Sequence, residues 1–346
     1  MPTIHEVAER AGVSTATVSY VINQSRFVSA ELTERVLKAV SDLHFTPSRV
    51  AQSLRQGKTS ILGLVMDDVT HRFAGELFKG LEECATQHHY TILISDLHDE
   101  PAREEASINL LLSQRVDGII YAGFGEAGQH LAALQAEGVP VVVVDKPLDC
   151  PSLSSVLIDN RAGVFTALRH LQALGYEDIV FINGLAINRN AQLRAEAFRD
   201  FLKRHNLPQT PDQILFGDYT LQHGFQATRR ILQQKRPCRA IFCGDDTIAF
   251  GVMAALKAAG RRIPEEVAVL GFDNDPLAQV MDPPLSTVHY PTREMGRTAF
   301  QVFHRRRTGK RKHKQPEHVL LGTKLLVRRS TDPTCRPYEG LDGAQE

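Results

Sequence analysis

Ser14, Thr15, Thr17, Ser19, Tyr20 and Asn23 crowd hydrogen-bonding side chains into one short stretch near the start of the chain. Small hydroxyls both donate and accept, and they approach a surface closely, which suits contact with phosphate oxygens and base edges. Farther along, Asp245, Asp273 and His289 are residue types that acid–base catalysis employs. No nucleophile–base spacing, glycine-rich phosphate loop or metal-ligand cluster accompanies them, and Gly63, Gly123 and Gly125 do not form a dinucleotide fingerprint. The chemistry expected is recognition of nucleic acid, with no enzyme activity, no metal and no cofactor.

The elements that must hold those hydroxyls follow from local patterns. Thr3-Ile4-His5-Glu6 is a Thr-x-x-Glu capping box opening a short helix, and Ala11-Gly12-Val13 breaks the chain before a second helix starting near Ser14. On that second helix Val18, Val21 and Ile22 share one face, leaving Thr15, Ala16, Thr17, Ser19 and Tyr20 outside. A third helix follows the cap Ser29, with Leu32, Val36, Val40 and Leu43 at helical spacing. Helix, glycine turn, helix and a supporting helix make a helix-turn-helix module. Pro47 ends the third helix, and Ser48 caps a short segment, 49–55, that stops at Gly57. With only Val50, Ala51 and Leu54 as its apolar side, that segment is too short to be stable by itself in water.

From residue 61 onward, apolar β-branched runs at 61–66, 91–94, 118–121 and 141–144 alternate with amphipathic helices near 74–89, 103–114 and 128–137. A second series repeats this, with runs at 179–182, 240–243 and 267–270 among helices near 161–175, 190–205, 221–234 and 246–260. Two doubly wound α/β lobes are expected, their strand-end loops along one crevice where a small molecule can bind.

A chain of 346 residues suits two or three domains, and its composition, 42% hydrophobic and 23% charged, is that of a globular protein. No apolar run approaches the roughly 18–20 residues of a membrane span, and the N-terminus carries no signal pattern, so a cytoplasmic location and no membrane partner are expected. Five cysteines without a Cys-x-x-Cys pair imply neither a disulfide framework nor zinc. Formal charge is zero overall, yet residues 1–60 carry +2, residues 61–304 carry −8 and residues 305–346 carry +6. The large middle repels DNA, so nucleic-acid contact belongs to the head and its connection.

The stretches Ile4-His5-Glu6-Val7-Ala8, Ala11-Gly12-Val13-Ser14-Thr15-Ala16-Thr17-Val18-Ser19, Val21-Ile22-Asn23 and Pro47-Ser48-Arg49-Val50-Ala51-Gln52-Ser53-Leu54 resemble the lactose repressor/galactose repressor family of bacterial transcription regulators. The likeness continues across almost the whole chain. Through Asn23-Gln24-Ser25-Arg26-Phe27-Val28 the head is most similar to the purine repressor branch. The resemblance implies an all-α helix-turn-helix head plus an α/β two-lobed, periplasmic-binding-protein-like (type I) core of doubly wound parallel sheets. The boundaries expected are a head over 1–46, a hinge helix and linker over 47–59, a core over 60–332 and a tail over 333–346. Lobe 1 takes about 60–159 and 291–318, lobe 2 about 160–289 and 320–332. The chain crosses near Asp159, Tyr290 and Leu320, and a helix around 292–307 returns to lobe 1.

In such a family the positions matching Thr15, Ala16 and Tyr20 read bases, and Arg26 adds to them. Most members have Arg at the Tyr20 position; Tyr20 makes no bidentate contact to guanine, so the preferred half-site differs. Ser14, Thr17, Ser19 and Asn23 are phosphate or capping groups. The hinge, folding only on DNA as a pair of copies, contributes Ser48, Ala51, Leu54 and Arg55, with Leu54 as the minor-groove wedge.

For the crevice the resemblance transfers Arg194 and Asp273, an Arg fork and a carboxylate that hold vicinal hydroxyls by charge-assisted bonds. Asp145, Asn190 and Asp245 take other ligand-facing positions, and Phe73 and Tyr219 are rings against the ligand. Asp246 is expected to cap the helix that follows it. Lys146 stands where the purine repressor has an aromatic ring, and Asn188 and Asn190 where it has Arg and Thr; a purine effector is disfavoured. A lysine there favours an acidic sugar derivative, the alternative being that it points to solvent or pairs with Asp149. The basic run 305–314 is expected to be a solvated loop, and the tail from Pro333 lacks heptads, so a homodimer on a palindromic operator is expected. The rival readings are a purine-type corepressor-dependent regulator and a cytoplasmic ligand-binding protein with no DNA role.

Overall fold

Thr3 closes its capping box as the pattern requires: its Oγ1 accepts from the Glu6 amide at 3.4 Å, and its own amide donates to Glu6 Oε2 at 2.6 Å. A computed structural model of the chain describes residues 2–23, 26–45, 58–70, 72–98, 100–123, 127–234, 237–309 and 315–335. The chain divides into two compact units, Met1–Ser60 and Ile61–Glu346.

In the first unit, α1 (Ile4–Ala11) ends at Gly12, whose φ of 62° is the left-handed conformation that glycine adopts without penalty. Helix α2 (Thr15–Asn23) and α3 (Ala30–Asp42) follow, the latter capped by Ser29. Val7, Ala8, Ala11, Val18, Val36 and Ala39 form the small core. Arg35 ties the turn to α3 by donating from Nε and Nη2 to the Ala11 carbonyl at 3.1 and 2.7 Å.

The second unit holds two six-stranded sheets among the described residues. The first contains β1 (Ile61–Met66), β2 (Thr91–Asp96), β3 (Ile119–Ala122), β4 (Val141–Asp145), β5 (Ser154–Ile158) and β11 (His318–Leu321). The second contains β6 (Ile179–Asn183), β7 (Ile214–Phe216), β8 (Ala240–Cys243), β9 (Ala268–Asp273), β10 (Ser286–His289) and β12 (Lys324–Leu326). The spatial orders are β11-β5-β4-β3-β1-β2 and β12-β10-β9-β8-β6-β7, and every pairing is parallel except β10 with β12. Both sheets carry helices: α4 (Arg72–Gln87), α5 (Glu104–Ser113), α6 (Gly128–Ala136) and α12 (Thr292–Thr308) in the first lobe; α7 (Asn160–Ala173), α8 (Arg189–Arg204), α9 (Leu221–Gln233), α10 (Asp246–Ala258) and α11 (Leu277–Val280) in the second. The fold class expected from the sequence is the one observed.

The chain leaves the first sheet after Ile158, returns after His289 and crosses again after Leu321. Helix α12 does pack back on the first lobe, against α4. Glycine makes that crossing close: a Cβ on Gly80 would lie 2.0 Å from the Arg293 carbonyl oxygen, and one on Gly296 2.3 Å from that of Leu77. Strand β10 escaped the sequence pattern because Ser286 and Thr287 look solvent-facing, yet both are fully buried. Ser286 Oγ donates to the Arg328 carbonyl at 2.8 Å and Thr287 Oγ1 to Asp246 at 2.7 Å, which removes the desolvation cost of burying hydroxyls.

Candidate functional site

The outer face of α2 is built as a contact surface. Val18 alone is buried, Ser14, Ala16, Asn23 and Arg26 are exposed, and Thr15, Thr17, Ser19 and Tyr20 are half-buried. Ser14 Oγ accepts from the Thr17 amide at 3.1 Å, so it caps the helix and meets Thr17 Oγ1 at 2.9 Å. Asn23 Nδ2 reaches back to the Ser19 carbonyl at 2.9 Å. The Arg26 guanidinium lies 5.2 Å from the Tyr20 ring centroid. Ser48, Ala51, Leu54 and Arg55 lie outside the described residues, as do 310–314 of the basic run and the tail beyond Cys335.

The crevice is assembled at strand ends. Asp145 closes β4 with a φ of 70°, and the Lys146 amide donates to the Val144 carbonyl at 2.8 Å, forming a strained γ-turn around it. Asp273 closes β9 with a φ of 107°. Non-glycine residues seldom hold such angles.

Around them runs one buried polar net. Arg194, 4% exposed, donates from Nε to Asn160 Oδ1 at 2.8 Å and from Nη1 to the Gly244 carbonyl, with its plane 3.9 Å from the Phe272 ring centroid. Asn160 Nδ2 donates to Asn190 Oδ1 at 3.0 Å, Asn190 Nδ2 to Asp145 Oδ1 at 2.8 Å, and the Tyr290 hydroxyl to the same oxygen. This net joins the lobes, since Asp145 belongs to the first sheet and Asn190 and Arg194 to α8 of the second lobe. A second link is the ion pair of Arg72 Nε with Asp275 Oδ2 at 3.3 Å, from α4 to the loop after β9. A cavity of about 260 Å³ opens beside the net, lined in part by Asp145, Asn160, Leu157, Leu193 and Leu320; it does not reach Arg194 or Asp273.

The expected residues therefore converge unevenly. Asp145, Asn190 and Arg194 are in one bonded net. Phe73 sits edge-on to Tyr290, centroids 5.9 Å apart, and the Tyr219 ring rests on Gly184, where a Cβ would come 2.0 Å from it. Two expectations need correction. Asp245, not Asp246, caps α10, its carboxylate accepting from the Ile248 amide at 2.7 Å. Asp246 turns inward to accept from Thr287 Oγ1 and from the Asp275 amide, each at 2.7 Å, holding the loop that carries Asp273. Lys146 neither points to solvent nor pairs with Asp149; it is 6% exposed, and Nζ is bonded to Asp67 at the end of β1. Asp67, Asn160 and Tyr290 were not singled out from sequence. The signal lay in position, for Asn160 follows the Asp159 crossing and Tyr290 is a crossing itself.

Electrostatics set the site's character. Burial raises the Asp145 carboxyl above its ordinary range, against the pull of Lys146, the Tyr290 hydroxyl and Arg194. Asp273 is open to crevice water, yet the protein crowded around it displaces enough solvent to raise its pKa well above normal; Arg194 pulls it down, and Asp245, Asp246 and Asp145 push it up. Carboxyls thus outnumber cations here. Among the described residues no group of three or more His, Cys, Asp or Glu is placed to hold a metal ion.

Residues 3–48 match the family described as bacterial regulatory proteins, lacI family, and residues 168–331 match the periplasmic binding protein-like domain. The HTH-type transcriptional repressor PurR of Yersinia pestis (strain Pestoides F) is 33% identical over 341 residues, covering 98% of this chain and 99% of that protein. The chain belongs to the LacI family. This LacI-family protein is a DNA-binding transcriptional repressor with a ligand-binding core, not an enzyme. The lac repressor dimer bound to operator and the anti-inducer ONPF superposes with a TM-score of 0.86 at 27% identity, covering 95% of this chain and 99% of that one. A complex of the transcriptional regulator CelR with cellobiose gives 0.72 at 29% identity over 95% and 100%. Among the described residues no helix is long and apolar enough to cross a membrane.

Proposed function

We propose that this repressor acts as a homodimer on a palindromic operator in the cytoplasm, residing on the nucleoid when bound, and that a sugar or sugar derivative held between its lobes sets its grip on DNA. The head over 1–46 and the hinge over 47–59 make the DNA contacts. Arg194 and Asp273 hold vicinal hydroxyls, Asp145, Asn190 and Asp245 bound the polar side, and Phe73 and Tyr219 supply rings. The observation that carries this is the buried Arg194–Asn160–Asn190–Asp145 net spanning both lobes beside the open carboxylate of Asp273. A polyhydroxylated ligand completes such a net, and it favours whichever lobe arrangement lets it touch both sides. The similar CelR, in complex with cellobiose, agrees with it.

An acidic sugar was expected from Lys146. Its ammonium is bonded to Asp67, so an acidic ligand must displace that carboxylate. Neutral sugars are the better fit. The purine reading is favoured by the likeness to PurR, and opposed by Lys146, Asn188 and Asn190 in place of the residues a purine pocket uses.

Titration calorimetry of the full chain against neutral mono- and disaccharides, sugar acids, sugar phosphates, hypoxanthine and guanine tests this. Binding of a sugar-class ligand is expected; binding of a purine and none of the sugar class would overturn it. The bound sugar's affinity should also depend on pH. Ligand hydroxyls donate to the ionised Asp273, whose pKa is raised, so affinity is flat above that pKa and falls, by up to about tenfold per pH unit, as acidification protonates the carboxyl. The fall should be shallower for Asp273→Asn, which carries no titrating proton at that position. Equal slopes for both proteins would remove Asp273 from the site.

A further inference from the structure

Tyr20 and Arg26 form a contact that neither a ring on a helix surface nor a lone surface arginine explains. Tyr20 projects from α2 half-buried, while Arg26, beyond the end of that helix, is exposed and still places its guanidinium 5.2 Å from the ring centroid. A cation within about 6 Å of an aromatic face is attracted to it, by about 0.5–1 kcal/mol, or roughly two- to fivefold, at an exposed site. A contact through the ring face consumes none of the guanidinium's N–H donors, which stay available to an acceptor. Those donors are what reads guanine, because two parallel N–H groups match O6 and N7 in the major groove. A long side chain ordered before DNA arrives also loses less entropy on binding.

We infer that Tyr20 is a positioning residue: its ring holds the Arg26 guanidinium so that Arg26 reads a guanine in each half-site, the two side chains acting as one specificity unit. The guanidinium that most family members carry at the Tyr20 position is supplied here from six residues farther on, with the ring as its support. The inference rests on the head reading DNA through α2.

Selection of binding sites from random duplexes, followed by titration on the selected site, distinguishes the outcomes for the full chain and for Tyr20→Phe, Tyr20→Ala, Arg26→Ala and Tyr20→Ala/Arg26→Ala. Tyr20→Phe keeps the aromatic face and should retain the parent consensus, with affinity within about twofold. Tyr20→Ala and Arg26→Ala should relax preference at the same symmetric base pair, each weakening binding by roughly fivefold or more, and the double variant should match Arg26→Ala. Three results would overturn the inference: Tyr20→Phe as damaging as Tyr20→Ala, the two alanine variants relaxing different positions, or their losses multiplying. If the parent itself enriches no site, the DNA-reading premise falls and the inference with it. Arg26 is exposed, so its replacement reports on recognition without threatening the fold.

Discussion

Arg194→Lys is expected to weaken effector binding by about a hundredfold and to leave operator affinity without effector within a few fold. Lysine keeps the charge but loses the planar fork: it cannot donate at once to Asn160 Oδ1 and the Gly244 carbonyl while lying flat on Phe272. Without that anchored fork the charge-assisted bonds to the ligand's vicinal hydroxyls are lost too; each costs roughly 1.5–3 kcal/mol, and two such losses correspond to about a hundredfold or more in affinity. Asn160 and Asn190 lose their anchor as well, so the link from Asn190 to Asp145 between the lobes slackens. Thermal unfolding checks that the core persists, and calorimetry reads the affinity. A variant that binds the parent's ligand as tightly as the parent would take Arg194 out of the binding net.

Leu54→Ala should reduce operator affinity on the same scale while leaving ligand affinity unchanged. This position lies outside the described residues, and the expectation follows from the family resemblance: two hinge leucines wedge into one minor groove. Unstacking a base step costs a few kcal/mol and is repaid only through the bent complex, so removing both wedges forfeits contacts made elsewhere on the dimer. Gel-shift titration decides it. Equal operator affinity for variant and parent would show that the hinge does not insert.

How far the sequence speaks depends on whether burial shows in residue type. The head was legible almost to the residue because its boundaries are chemical: Thr3, Gly12, Ser14 and Ser29 each fill an orphan backbone group or a left-handed turn. The strands β1, β3, β4, β6, β8 and β9 were legible because both faces of a parallel sheet are covered and the runs are uniformly apolar. Strands β5, β7 and β10 were not. In β10 the buried hydroxyls of Ser286 and Thr287 are matched by partners distant in sequence, at Arg328 and Asp246, which no local pattern reveals.

The site divides the same way. Arg194, Asp273, Asn190 and Asp145 came through resemblance; three of them are in one net, and Asp273 is beside it. Asp245 and Asp246 are adjacent acids either of which suits a cap; the extended backbone at Asp245, φ −149°, and its bond from the Ile248 amide assign the role. The partner of Lys146 is not legible in sequence because Asp67 follows a strand two places away in the sheet, though 79 residues away in the chain. Pairings of that kind are created by topology.

The most direct measurement is operator titration of the full chain with and without the sugar that calorimetry identifies, run in parallel on Arg194→Lys at one salt concentration. A ligand that distinguishes two lobe arrangements must change the head's affinity by its coupling free energy, commonly 5- to 150-fold. The expected result is a shift of about tenfold or more for the parent and none for the variant at the same ligand concentration. Superimposable parent isotherms, with ligand shown bound in the crevice, would contradict control of DNA binding by the core.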